Sequence, residues 1–139
     1  MKKIVWITGL ILTVLATTAQ DGSWTIRMNT KLVLSARKEN ETTNSIKIKS
    51  SEWKKNGFLE VSYKENDLNT WIRSFLFFDE EDNQLLNKDS TTYSKITLSS
   101  IRKAFTGKKE VRIYTIVAPV DPKIAIRIRR VHLCTLKLP

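Results

Sequence analysis

The chain has 139 residues, of which 41% are hydrophobic and 27% are charged, and its formal net charge is +10. Its single cysteine excludes an intramolecular disulfide, so the stability of the fold must come from packing. Its single histidine excludes metal centres that need two imidazole ligands, such as a blue-copper site.

The first 19 residues have the build of a secretory signal peptide. A positive Met-Lys-Lys start precedes an uncharged apolar run over residues 4–15, and small residues ending at Ala19 follow. The run is shorter than the about 20 residues that span a bilayer core, which disfavours the alternative of an uncleaved anchor helix. We therefore expect cleavage near Ala19 and a secreted or periplasmic protein. The mature chain, residues 20–139, should form a single domain without a transmembrane segment.

Period-2 alternation of apolar and polar residues predicts strands along most of the mature chain. The first strand, residues 24–28, is followed by Asn29 and Thr30, which suit a hairpin turn into the second strand. The predicted strands cover residues 24–28, 31–35, 46–49, 58–63, 71–78, 93–98, 111–118 and 124–138, with a short return strand starting at residues 85–86.

Two segments, residues 45–63 and 94–114, depart from this pattern in the same way. Each contains a strand, a Ser-Ser pair, a short basic amphipathic stretch, a glycine and another strand. The serines suit helix N-caps. Gly57 and Gly107 suit the position after a helix, where a positive φ favours glycine. We expect two short helical crossovers between strands.

The spacing of the strands predicts the fold class. Short strands about ten residues apart, without long amphipathic helices between them, argue against strand–helix–strand units. We predict an all-β fold, an antiparallel β-sandwich of roughly seven to nine short strands. An immunoglobulin-like Greek key is the predicted topology from architecture alone, because the disulfide and buried-tryptophan signature of antibody domains is missing from the sequence.

The excess of positive charge is confined to the last third of the chain. Residues 20–100 hold 12 basic and 12 acidic residues, whereas residues 101–139 hold ten basic and two acidic residues, a net of +8. Like charges retained side by side without acidic partners are easier to understand if an anion compensates them, although a solvated face is the alternative. Arginine forks bind sulfate, phosphate or carboxylate through two hydrogen bonds. The predicted partner-binding residues are Arg112, Arg127, Arg129 and Arg130.

The segment RIRRVHLCTLKLP, residues 127–139, contains the only histidine and the only cysteine. In a straight strand His132 and Cys134 share one face, and Arg130 faces the core, where an unpaired charge is costly. A bulge at Arg129 and Arg130 would turn His132 and Cys134 outward. Alternatively the strand leaves its sheet near Arg130 and Cys134 returns to the core. The sequence leaves both arrangements open.

His132 and Cys134 are the candidates for a metal or catalytic site. Met28 could be a third soft-metal ligand only if its strand is adjacent, and a structural zinc site needs four ligands. Neighbours two apart on a strand lie about 6–7 Å apart, too far for direct proton transfer. We therefore predict no enzyme activity, no catalytic residue, no metal site and no cofactor, and expect Cys134 to contribute by packing.

The acidic run at residues 79–83 and Trp53 could each bind a ligand, but we predict a structural role for both. The acidic residues 79–83 predict a solvated hairpin turn rather than a calcium loop, because they lack the alternating ligands and glycine of such a loop. Trp53, in the first crossover, is predicted to pack that crossover onto the sheet rather than to form a platform for sugar rings.

Three functions remain open. The favoured one is a secreted, non-catalytic binding module whose basic C-terminal face takes an acidic glycan, an anionic cell surface or an acidic protein. No nucleic-acid-binding motif is present, and export argues against that partner. The second is a structural subunit that self-associates through edge strands, with acidic residues 79–82 of one copy meeting the basic strand of the next. The third is a small periplasmic metal-binding protein that uses His132 and Cys134.

Overall fold

The structure, a computed structural model, describes residues 22–65 and 71–139. The predicted signal peptide and its cleavage site lie outside the described residues. The strands are β1 (Ser23–Met28), β2 (Lys31–Ala36), β3 (Ser45–Lys47), β4 (Phe58–Lys64), β5 (Trp71–Phe78), β6 (Gln84–Lys88), β7 (Tyr93–Thr97), β8 (Glu110–Pro119) and β9 (Val131–Lys137). The helices are α1 (Ser50–Trp53) and α2 (Leu98–Ala104).

The described strands form two sheets. One has four strands in the order β2-β1-β4-β7, and the other has five in the order β3-β9-β8-β5-β6. The prediction of an all-β sandwich with two short helical crossovers is confirmed. All strand pairs are antiparallel except β3 with β9, which are parallel. The fully antiparallel prediction is wrong at this pair, because the chain reaches β3 by crossing from the other sheet and not through a hairpin.

The core lies between the two sheets. Alternate side chains of β1 and β4 point into it, among them Trp24, Ile26 and Val61, and they meet Phe77 and other buried residues of the five-stranded sheet. The Trp24 indole N–H donates to the carbonyl oxygen of Leu133 at 2.9 Å, across the sandwich. This bond satisfies a buried donor that would otherwise be costly, and it fixes the two sheets relative to each other.

The predicted hairpin turn and the positive φ of Gly107 are confirmed, whereas the predicted helix N-caps are wrong. Asn29 and Thr30 both have positive φ, 53° and 70°, as a two-residue hairpin turn with primed geometry requires. The predicted serine caps are wrong, because the N-cap of α2 is Thr97, whose hydroxyl accepts a hydrogen bond from the Ser100 N–H. Gly107 has a positive φ of 76°, as predicted.

Gly57 has a different role from the predicted one. A Cβ at this position would overlap the side-chain oxygen of Asn29. Gly57 is therefore required by close packing against the β1–β2 turn, and a positive φ is not its reason. The two helices meet at this end of the sandwich, where Arg102 donates to the carbonyl oxygens of Trp53 and Lys55 at 2.6 and 3.0 Å. Trp53 is half-buried and packs against the core, as predicted.

The predicted strand over residues 124–138 is wrong in its first half. Only Val131–Lys137 forms a strand, and residues 120–130 contain neither a strand nor a helix. Pairing of β8 with β9 stops where Thr115 meets Val131, and both of these side chains are buried. In the same register an upstream extension of β9 would turn Arg129 toward the core face, and burying that charge without a partner is costly.

The acidic turn after β5 is not solvated throughout, so that prediction is wrong at Asp79. Asp79 is fully buried, and one carboxylate oxygen accepts hydrogen bonds from the backbone N–H groups of Glu81 and Asn83 at 2.9 and 2.8 Å. The other oxygen lies 2.9 Å from the Lys108 ammonium. The Lys108 ammonium and these N–H groups hold the pKa of Asp79 well below its usual range.

This turn gives the fold a defined acid sensitivity. The pKa of Asp79 is lower in the folded than in the unfolded chain. The ionised carboxylate therefore makes its full contribution to the free energy of unfolding above about pH 4, and this contribution is lost as the pH falls toward the pKa of the folded chain. We expect Asp79→Asn to lower the free energy of unfolding at neutral pH and to flatten its decline between about pH 4 and pH 2. Urea denaturation at both ends of that range measures this. Asp89→Asn, at an exposed position, is the control and should change neither quantity.

Candidate functional site

A bulge in β9 decides which way the side chains of His132 and Cys134 point. The register between β8 and β9 shifts after Ile113, which pairs with Cys134, so that Tyr114 pairs with His132 and Leu133 is the extra residue. Cys134 consequently packs into the core, while the His132 ring lies against the Tyr114 ring with centroids 5.4 Å apart. The two side chains do not share a face. The bulge falls three residues beyond the predicted position at Arg130.

The structure does not bring the candidate metal ligands together. Met28 is buried in β1 of the other sheet, and Cys134 and His132 point to opposite sides of β9. Within residues 22–65 and 71–139, no group of three or more His, Cys, Asp or Glu side chains is arranged to hold a metal ion.

Cys134 is a packing residue whose thiol is hard to ionise. Its side chain is fully buried, and burial raises its pKa to about 12. We expect a thiol reagent to react only after unfolding, and Cys134→Ala to lower the free energy of unfolding by about 1 kcal/mol. Denaturant titration measures the second effect. If reduction of the wild type dissociates a dimer and Cys134→Ala leaves its stability unchanged, the cysteine forms an intermolecular disulfide instead.

On the outer face of the five-stranded sheet lies a polar cleft of about 260 Å³, here called the His132 cleft. His132 is only 1% exposed, and its Nε2 atom lies 2.7 Å from the Thr135 hydroxyl. Its Nδ1 atom is buried and has no hydrogen-bond partner among the described residues. Burial lowers the pKa of His132, so the ring is neutral at neutral pH. The cleft is lined by Glu41, Thr42, Ser45, Glu110, Arg112, Tyr114, His132, Thr135 and Lys137.

Charged groups of both signs surround the His132 cleft. Arg112 donates through Nε to Glu110 at 2.8 Å. Glu39, from the loop before β3, accepts from the His132 backbone N–H at 2.9 Å with one oxygen and from Arg129 with the other. Burial alone would raise the pKa of Glu39, but these hydrogen bonds and the arginine charge hold it below its usual range. One carboxylate thus joins Arg129 to the backbone of the cleft.

Arg130 covers the aromatic side chains beside the cleft. Its guanidinium lies 4.7 Å from the Phe78 ring centroid and 4.4 Å from that of Tyr114. It also donates to Asp82 at 2.7 Å. The acidic turn therefore meets a basic residue within one chain, which is the contact that the self-association hypothesis placed between copies.

Residues 120–130, here called the cationic segment, connect β8 to β9 on the protein surface. They carry four basic residues and a single acidic residue, Asp121. Ile124, Ile126 and Ile128 are 39–53% exposed. Among the described residues Arg127 makes no ion pair.

The structure corrects one expectation about the predicted partner site. The sequence predicted no acidic partners for Arg112, Arg129 and Arg130, but each makes an ion pair, whereas Arg127 makes none with the residues that the structure describes. Arg129 and Arg130 are joined to the His132 cleft through Glu39 and Tyr114 respectively. Sequence reasoning missed Glu39 and Lys137 as members of this region. The Glu39 pairing spans 90 residues of sequence, so no local pattern could have indicated it.

Comparison with protein-family models, with curated proteins and with solved structures finds no match to this chain. In the part of the chain that the structure describes, no helix is long and apolar enough to cross a membrane.

Proposed function

We propose that this chain is a secreted, non-catalytic binding module that takes an anionic partner through the cationic segment and the arginines beside the His132 cleft. The observation that carries the proposal is the exposed run of four basic residues with one acidic residue among them, in which Arg127 makes no ion pair in the described structure. The partner is an acidic glycan, an anionic cell surface or an acidic protein. The sequence contains no nucleic-acid-binding motif, which disfavours a nucleic acid as the partner.

The existing ion pairs are compatible with this role. Exposed pairs contribute about 0–1 kcal/mol each, so an incoming anion can displace the carboxylate of Glu39 or Asp82 at little cost. In each pair the arginine uses one nitrogen, Nη2 for Arg129 and Arg130 and Nε for Arg112. Among the described residues, the remaining donors of Arg129 and Arg130 make no side-chain hydrogen bond and can bind a second anion in fork geometry.

The arrangement of the nucleophile and base candidates supports a non-catalytic function. A catalytic thiol needs a thiolate and a neighbouring base. Cys134 is buried with a raised pKa, and His132 lies on the other side of the strand. These two residues therefore cannot act as a nucleophile–base pair.

The proposal includes an immunoglobulin-like Greek-key topology. In that class, the first, second, fourth and fifth strands of the constant type form one sheet and the third, sixth and seventh strands form the other, and the variable type adds strands beside the third. Here β9, β8, β5 and β6 are neighbours in that order in one sheet, and β1, β4 and β7 in the other. The order supports the class, with β2 as an added edge strand.

Secretion is the part of the proposal that depends on the N-terminus. We expect N-terminal sequencing of protein recovered after export to begin near Gln20, because small residues follow the apolar run and end at Ala19. Recovery of an intact Met1 would contradict this prediction.

The anionic partner is tested by binding at two salt concentrations. We expect the chain to bind immobilised sulfated or uronic-acid polysaccharides, anionic lipid or an acidic protein at low salt. Binding should weaken toward physiological ionic strength, because exposed charges are screened within about 8 Å there. A chain that binds none of these anions at low salt would show that the basic residues form only a solvated surface.

A further inference from the structure

Large apolar side chains are exposed at one end of the five-stranded sheet. In the register of β5 with β8, Trp71 pairs with Pro119 and Ile72 pairs with Ala118, which places the start of β5 beside the root of the cationic segment. This set, here called the apolar end, is 36–56% exposed and consists of Trp71, Ile72, Val120, Ile124, Ile126 and Ile128. Exposed apolar side chains gathered at one end of a sheet mark an interaction site more often than a single exposed residue does.

Basic residues alternate with these isoleucines. In an extended chain, residues two apart point to the same side, so Ile124, Ile126 and Ile128 form one row. Arg127 and Arg129 form the opposite row, and Lys123 lies in the turn that precedes it. Apolar and cationic groups therefore occupy the same short segment, and a partner that contacts one row also lies within reach of the other.

We propose that the apolar end and the cationic segment dock onto an anionic lipid bilayer, an inference that rests on the proposed function and names its partner. A bilayer surface offers phosphate groups and acyl chains at adjacent depths, which matches both rows. The isoleucines enter the boundary between headgroups and acyl chains, and the long arginine side chains reach back to the phosphates. Trp71 lies at the interface, where tryptophan is favoured.

A second copy of the chain fits this surface less well. Pairing two cationic segments would bring together four basic residues from each copy, with only Asp121 from each to offset them. Such like-charge contacts are unfavourable. An acidic protein would neutralise the arginines but gives no reason for the exposed isoleucines, whereas an anionic bilayer accounts for both.

The experiment is vesicle flotation of the full chain. It uses phosphatidylcholine vesicles with and without phosphatidylglycerol, and dextran sulfate as a soluble polyanion for comparison. Wild type and variants carry the same residues 1–19, so any contribution from that segment is common to all. We expect anionic vesicles to bind the wild type at least about tenfold more tightly than neutral ones.

The matched variants separate the apolar from the ionic part. Changing Ile124, Ile126 and Ile128 to serine is expected to weaken binding to anionic vesicles about a hundredfold and to leave dextran sulfate binding unchanged. Fluorescence gives a second readout, in which Trp71 emission shifts to the blue on vesicle binding. All proteins used for fluorescence carry Trp6→Phe, which removes the tryptophan of the apolar run. Trp71→Phe should then abolish the shift, because Trp24 is already buried and Trp53 lies at the helix end of the sandwich.

Each other result overturns the proposal. Equal binding to neutral and anionic vesicles, or undiminished binding by the isoleucine variant, removes the bilayer as the partner. A wild-type dimer in sedimentation that the same isoleucine changes dissociate would identify the apolar end as a contact between copies. Binding to dextran sulfate without binding to vesicles overturns the bilayer proposal and leaves the proposed function standing. Binding to neither overturns the bilayer proposal, and it overturns the proposed function as well when an acidic protein also fails to bind at low salt.

Discussion

Changing Arg127, Arg129 and Arg130 together to glutamine is expected to weaken binding to a soluble polyanion about a hundredfold at low salt. Each charge-assisted contact contributes about 1 kcal/mol after existing partners are released, and three such losses correspond to that factor. Arg127 should account for the largest single loss, because the other two must first release Glu39 and Asp82. The dependence of binding on salt should also flatten. Isothermal titration at two ionic strengths measures both effects.

The matched control changes the same amount of charge at the other end of the sandwich. Lys49, Lys54 and Lys103 are exposed and lie on or next to the two helices, at the end where β8 begins. Changing these three to glutamine should leave binding nearly unchanged. If both triple variants weaken binding equally, the chain responds to net charge alone and has no defined anion site.

Glu65→Ala is expected to cost about 3 kcal/mol of unfolding free energy, because it leaves a buried arginine without its counter-charge. Arg73 points into the sandwich from β5, where its side chain is 8% exposed. Its Nε and Nη2 atoms donate to the two oxygens of Glu65, and Nη1 donates to the Thr115 hydroxyl at 2.9 Å. The guanidinium also lies 3.6 Å from the centroid of the Tyr63 ring. Urea denaturation at neutral pH measures the loss.

The double change Arg73→Met with Glu65→Ala separates the two contributions. Removing both charges should recover most of the lost stability, since a well-packed apolar residue often replaces a buried ion pair without loss. Lys55→Ala, which breaks the exposed pair with Glu52, is the comparison and should lower the free energy of unfolding far less, because exposed ion pairs contribute little. A single Glu65→Ala variant as stable as the wild type would show that Arg73 finds another partner or reaches water.

Much of the fold follows from period-2 alternation, because that pattern records which side chains of a strand face the core. Strands β1, β4 and β5 lie close to where alternation places them, and the hairpin at Asn29 and Thr30 follows from turn chemistry. Alternation does not record whether a partner strand is available. Residues 124–128 alternate as regularly as β1 does, but the register with β8 would bury Arg129, and the segment stays on the surface.

The candidate site was harder to predict from sequence than the fold, because it is formed by contacts between residues far apart in the chain. Parity alone left the faces of His132 and Cys134 open, because one extra residue reverses every side chain that follows it. Composition located the basic third of the chain. It could not show that Glu39 and Asp82 pair with its arginines across 90 and 48 residues of sequence. The ion pair of Arg73 could not be predicted either, since a single arginine in an apolar strand does not indicate its partner.

The most direct test of anion recognition is a nuclear magnetic resonance titration of the ¹⁵N-labelled chain with a small sulfated oligosaccharide. We expect saturable shifts over residues 123–130. We also expect a shift of the His132 backbone N–H, because an anion that takes Arg129 from Glu39 disturbs the carboxylate that this N–H binds. Shifts centred on Lys49, Lys54 and Lys103, or shifts that do not saturate, would contradict a defined anion site on the cationic segment.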